Sequence, residues 1–140
     1  EIIERLEILR ENSQIVFVPD TLEYIYKGGR IGKVTATLGS ILQIKPIVYF
    51  KKGDLKNKNS FGMQRAMRDM IAMIPQPHKL KRLFILHIAN STLYETWKNM
   101  LYKHIESRED KDEIEIYEGE VGPVVSTHAG PAVGMAWTTE

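Results

Sequence analysis

The sequence predicts the α+β class: a mixed, partly antiparallel sheet with helices packed on it. Helical and strand-like patterns interleave without the strict alternation of βαβ units. Hairpins expected at 50–56 and 126–134 would pair neighbouring strands antiparallel. The chain has 140 residues, 43% apolar and 26% charged, which suits one compact domain over 1–140.

Each element has a local reason. Ile2, Ile3, Leu6 and Leu9 recur at helical spacing between charges, so residues 1–11 read as an amphipathic helix stopped by Asn12-Ser13. Ile15 to Val18 is too short for a helix and reads as a buried strand. Asp20-Thr21-Leu22-Glu23 matches a capping box, which starts a short helix near Thr21, and Gly28-Gly29 ends it. Val34, Leu38, Ile41 and Leu42 make a second helical stripe before Pro46 returns the chain to extended form. Ile47 to Phe50, the turn Lys52-Gly53-Asp54 and the arm Leu55 to Asn59 form the first hairpin. Gly62 to Ile74 is helical, with Ser60 as its cap and Pro75 and Pro77 beyond its end.

Leu83 to Ala89 is a near-continuous apolar run, hence a central strand. Thr92 and Glu95 are in capping-box register ahead of a helix whose buried face is Leu93, Trp97, Met100, Leu101 and Ile105. Residues 106–112 read as a solvated charged loop, and Ile114 and Ile116 alternate with polar neighbours as in a half-exposed strand. Val121 to Thr127 and Val133 to Thr138 read as two final strands around a His-Ala-Gly-Pro loop.

Composition removes several function classes. The 19 basic and 18 acidic side chains give a net charge of +1, without the cationic excess of a dedicated nucleic-acid binder. With no cysteine, disulfides, thiolate nucleophiles and cysteine-held metals are excluded. No apolar run reaches the roughly 18 residues of a transmembrane helix. The chain opens Glu1-Ile2-Ile3, without an initiator Met, which fits a segment of a longer protein.

Two features stand out chemically. His128 lies in Ser126-Thr127-His128-Ala129-Gly130-Pro131, between two expected strands, where imidazole suits a carboxylate or hydroxyl partner; a loop histidine bonded to nearby backbone is the plainer alternative. In Lys27-Gly28-Gly29-Arg30-Ile31-Gly32 a tight turn aims a guanidinium that can hold a carboxylate or phosphate, or simply faces solvent. The spacing is neither a P-loop nor a dinucleotide fingerprint.

The remaining histidines rank lower. His87 reads as a satisfied core or edge residue, His78 sits between prolines and basic side chains, and His104 lies near a helix end where its charge would suit the dipole. None pairs at metal-ligand spacing, so no metal is expected. Met63, Met67, Met70 and Met73 on one helix fit core packing better than a lipid tunnel. Lys51, Lys52, Lys56 and Lys58, and Lys79, Lys81 and Arg82, read as solvated charge.

Phe17-Val18-Pro19-Asp20-Thr21-Leu22-Glu23-Tyr24-Ile25, Lys27 to Gly32, and Leu38-Gly39-Ser40-Ile41-Leu42-Gln43-Ile44-Lys45-Pro46-Ile47 resemble the C-terminal half of the DegV family. Gly122-Pro123-Val124-Val125-Ser126-Thr127-His128-Ala129-Gly130-Pro131 resembles that family's closing motif. The resemblance implies a cytoplasmic bacterial protein that binds a long-chain fatty acid between two domains. It presents the acyl carboxylate to a separate kinase subunit, with no catalytic residue or cofactor of its own. It places Arg30 and His128 at the carboxylate, supported by Gly28, Gly29, Ile31, Thr127 and Gly130.

It also implies an N-terminal domain outside this chain. Where the family carries a basic stretch that would dock the kinase, this chain has Ser60-Phe61-Gly62-Met63-Gln64-Arg65-Ala66. Two other readings stay open: a dihydroxyacetone-kinase-like carrier with a covalent histidine, and an interaction module using the acidic segment 106–120.

Overall fold

The computed structural model describes residues 1–29, 44–76 and 79–139. Its elements are α1 (Ile2–Glu11), β1 (Ser13–Pro19), α2 (Glu23–Lys27), β2 (Ile44–Lys51), β3 (Asp54–Phe61), α3 (Met63–Ala72), β4 (Leu80–Ile88), α4 (Tyr94–Glu106), β5 (Glu115–Val121), α5 (Pro123–Ala129) and β6 (Ala132–Thr139). The strands form one sheet in the order β3-β2-β1-β6-β4-β5. β4 and β5 run parallel, joined by the crossover helix α4; the other neighbours are antiparallel. The expected mixed, partly antiparallel sheet is therefore present. The stripe at 34–42 and His78 lie outside the described residues.

Strand alternation gives the sheet two unlike faces. Val16, Val18, Ile47, Leu83, Ile85, Val133, Met135 and Trp137 point to the face covered by α3 and α4. There they meet Ala66, Met67 and Met70 of α3 and Trp97, Leu101 and Ile105 of α4, all buried. Trp97 is fully buried, and its indole N–H donates to the carbonyl of Gly134 at 2.8 Å. The methionines pack in this core, with Met63 and Met73 at its margin.

Among the described residues, the opposite face is covered only at one end. Leu22 and Ile25 from the α2 region pack on Phe17, Val48 and Leu55, while Ala129 of α5 packs with Ile88 and Ala132. Ile15, Phe50 and Tyr117 stay exposed. So does the whole of α1: Ile2, Ile3, Leu6 and Leu9 make the expected stripe, but no described residue buries it.

The hairpin turn forms as expected, with Lys52 at φ 52° and Gly53 at φ 85°, the left-handed pair a two-residue turn requires. Residues 121–127 correct the reading. They form helix α5 after Val121, so no hairpin spans 126–134, and β6 pairs with β1 and β4 instead. Pro123 at the first helical position has its φ preset and no N–H to lose. The hydroxyls of Ser126 and Thr127 fold back onto the carbonyl of Pro123 at 2.9 and 2.7 Å. Gly130, at φ 69°, closes the helix with its N–H on Ser126. These terminal signals outweigh the strand preference of Val124, Val125 and Thr127.

Three expected caps are also replaced by other bonds. Thr21, not Asp20, accepts the N–H of Glu23, and Glu23 turns to Lys27 at 2.6 Å. The Asp20 carboxylate instead accepts the Ser91 hydroxyl, 3.0 Å from both oxygens. Ser91 in turn takes the N–H of Leu93, the role expected of Thr92. Ser60 sits on β3 and donates to Asp69 at 2.7 Å, while Gly62 begins α3.

Segment 106–112 is not simply solvated. Arg108 and Asp110 form a largely buried, two-pronged ion pair at 2.7 and 2.8 Å, and Asp110 also accepts the N–H of Leu80. Arg108 beside it holds the Asp110 carboxyl down at about 2. His87 lies under α4 with its ring 4.4 Å from that of Tyr94, and its buried Nδ1 has no hydrogen-bond partner, unlike the satisfied histidine expected. His104 does sit in the last turn of α4, but burial first and Arg108 second lower its pKa, so the expected charge–dipole contact is disfavoured.

Candidate ligand-binding site

The strand ends gather the site. β1 ends at Pro19, β4 at Ile88 and β5 at Val121, and β6 begins at Ala132, all at one end of the sheet. The Asp20 N–H on Pro131 (2.8 Å) and the Asp20–Ser91 bond tie three of the connecting loops together. The β4–α4 loop turns through Ala89 and Asn90, both with left-handed φ near 50°, which for alanine costs about 1 kcal/mol. A backbone held in that form belongs to a tightly specified corner.

On the open face, at this corner, lies an apolar cavity of about 300 Å³. Phe17, Val48, Leu55, Leu86, Ile88 and Gly134 line its floor and sides. Val125, His128 and Ala129 of α5 form one wall, at the spacing of a single helix face. Its lining is apolar except at the His128 imidazole, which makes no hydrogen bond to a described residue. A ligand placed here would be an apolar body with one polar end.

His128 is thus at a cavity, but from the last turn of a helix rather than from a loop between strands. Gly130 supports it by close approach: the Tyr24 ring of α2 lies where a Cβ would stand, so a larger residue would displace that ring from the contact between α2 and α5. Thr127 turns its hydroxyl into its own helix, onto Pro123 and Val124, and so braces α5 without reaching the cavity. Gly28 and Gly29 end α2, with the Gly28 N–H on Tyr24 at 3.0 Å and Gly29 at φ 71°. Because α2 packs on α5, this glycine pair starts from the helix beside His128. Arg30 and Ile31 lie outside the described residues, and their meeting with His128 stays a proposal.

Nothing in the sequence pattern marks the cavity lining as a site. Phe17, Phe50 and Leu86 were legible as strand residues, but alternation does not say which face of a two-sided apolar sheet stays open. Among the described residues there is no group of histidines and carboxylates placed to hold a metal. No described helix is long and apolar enough to cross a membrane.

Comparison with known proteins agrees with this architecture. A family model described as uncharacterised proteins of the DegV family matches residues 1–140. A DegV domain-containing protein of Clostridium perfringens is 33% identical over 135 residues, which is 93% of this chain and 45% of that protein. The solved fatty acid binding DegV family protein of Streptococcus agalactiae aligns with a TM-score of 0.77 at 24% identity, over 99% of this chain and 49% of that one. The Streptococcus pneumoniae Fatty Acid Kinase B3 protein, solved loaded with linoleic acid, aligns with a TM-score of 0.73 at 18% identity, over 99% of this chain and 49% of that one. The chain spans about half the length of the curated relatives it matches. Matched along its whole length and sharing the fold of the family's solved structures, the chain belongs to the DegV family.

Proposed function

We propose that this chain binds a long-chain fatty acid on the open face of its sheet, with the tail on the apolar lining and the carboxylate at the α5 end. The observation that carries this reading is the apolar cavity with His128 as its polar wall. Each methylene removed from water contributes about 0.8 kcal/mol. A carboxylate leaving water must instead find hydrogen bonds or a countercharge. His128 is exposed and uncommitted, and supplies the donor; Arg30, just past the glycine pair that ends α2, supplies the charge. The names of the two solved family members, one fatty acid binding and one a Fatty Acid Kinase protein carrying linoleic acid, support the ligand class.

In the same reading, the chain presents the carboxylate to a separate kinase subunit and performs no phosphoryl transfer itself. The other half of the length seen in its relatives supplies a second domain that covers the open face. The test is calorimetric titration of octadecanoate into this chain and into the full-length natural polypeptide. The longer form binds tightly, and this chain binds about four orders of magnitude more weakly, because half of the tail stays in water. In the longer form His128→Ala mainly reduces acyl-phosphate formation by the kinase, and Arg30→Ala weakens retention of the acid. Equal tight affinity in both forms would place the whole site within these residues; no binding by either would reject the ligand class.

A further inference from the structure

We infer that Ala136 is a specificity-determining residue, the neck that decides how long an acyl tail this face accepts. The inference rests on the fatty-acid reading above and extends it from the carboxylate end to the tail. A second cavity, a broad trough of about 1080 Å³, occupies the other end of the open face. Ile15 and Phe50 line both cavities, so the two adjoin. Gly134 belongs to the first and Ala136 to the second, and they are consecutive open-face positions of β6. The track from α5 toward the far end therefore crosses from one cavity to the other at these two residues.

The sheet register makes Ala136 the narrow point that can be tuned. It pairs with Ile15 of β1 on one side and Phe84 of β4 on the other, so its methyl lies between two large side chains that line the trough. Neighbouring strands are ~4.8 Å apart, so those flanks stand on strands ~10 Å from each other, about the width of one acyl chain with its contacts. A leucine at 136 would fill that gap. Gly134 is not tunable in this way, because a Cβ there would stand 2.5 Å from the Val16 carbonyl and 2.7 Å from the Phe17 Cβ. Ala136 already carries a Cβ and is half-buried, with room above it. Beyond it the track becomes polar at Thr138, Ser13, Arg10, Lys51 and Lys52.

From Ala132, beside α5, to Ala136 the strand advances ~14 Å, four residues at ~3.4 Å each. Decanoate held by its carboxylate at α5 ends before that point, and octadecanoate passes it. The experiment measures dissociation constants of both acids for the full-length natural polypeptide, unsubstituted and as Ala136→Ser, Ala136→Val and Ala136→Leu. The expected result is that Ala136→Leu weakens octadecanoate about a hundredfold and decanoate less than about threefold, with Ala136→Val between and Ala136→Ser unchanged. Should Ala136→Leu fail to fold, the valine and serine variants carry the same comparison at smaller amplitude. Equal loss for both acids, or no loss for octadecanoate, overturns the neck while leaving the fatty-acid reading standing. Failure of the unsubstituted protein to bind either acid overturns both.

Discussion

The two faces of the sheet carry similar side chains and have opposite fates. On the covered face, Trp97, Met67, Met70 and Leu101 close over Val16, Ile85 and Met135, and every one of these residues is buried. On the open face, Phe17, Leu86 and Phe50 are just as apolar, yet among the described residues α3 and α4 leave them uncovered, and Phe50 keeps 42% of its surface exposed. On the proposed reading, the difference separates side chains that hold the fold from side chains that receive the ligand. That separation can be attacked from both sides.

The largest effect is expected at the covered face. Trp97→Ala removes the largest fully buried side chain and its bond to the Gly134 carbonyl, so it should destabilise by about 4 kcal/mol. Chemical denaturation measures this, and a loss below about 2 kcal/mol would mean that α4 is not the cover it looks to be.

Next is the pin that holds the end of α4. Asp110→Ala removes a two-pronged ion pair from a largely buried place and frees the Leu80 N–H, at a cost of about 3 kcal/mol. The same group predicts an acid limb. The folded Asp110 carboxyl titrates at about 2, below its ordinary value of 3.8, so its contribution is present above pH ~4 and is lost as pH falls toward ~2. That contribution is about 1–2 kcal/mol. His104, with its pKa also lowered, adds loss of the same sign, beginning as pH drops below its ordinary 6.5. Thermal melts across this range, with and without Asp110→Asn, would show the limb shrink in the variant.

The smallest stability effect belongs to the open face. Leu86→Ala removes a half-buried side chain that lines the cavity and lies outside the α3–α4 core, and should cost only about 1 kcal/mol in the free protein. It should nevertheless weaken octadecanoate about tenfold. A stability loss as large as that of Trp97→Ala would erase the distinction between the faces.

How much of this was legible follows from the range of each signal. Short-range chemistry was read well: the left-handed pair at the β2–β3 turn, the glycines that end α2, and the buried face of α4 all announce themselves within a few residues. Helix α5 resembles a strand in sequence because Val124, Val125 and Thr127 favour strands, while the deciding residues, Gly122-Pro123 at its start and Gly130 past its end, are terminal signals. Asp20 and Ser60 read as caps in the sequence because a cap is the nearest use for an oxygen. Their partners, Ser91 and Asp69, are 71 and 9 residues away. His128 stands out in the sequence as a residue, but its place in a helix does not. The cavity beside it was invisible for a different reason: Phe17 and Val18 are equally apolar neighbours, and only the three-dimensional placing of α3 and α4 decides which of them is covered.

The central claim is that the open face, and not the covered one or α1, receives the acyl tail. Photolabelling tests it most directly. A long-chain fatty acid with a diazirine near the end of its tail is bound to the full-length natural polypeptide, irradiated, and the adducts are located by peptide mass spectrometry. The account predicts adducts on open-face residues of β1, β2 and β4, foremost Ile15, Phe50 and Phe84, competed away by unlabelled octadecanoate. Competable adducts confined to α1 or to residues beneath α3 and α4, with the open face unlabelled, would contradict it.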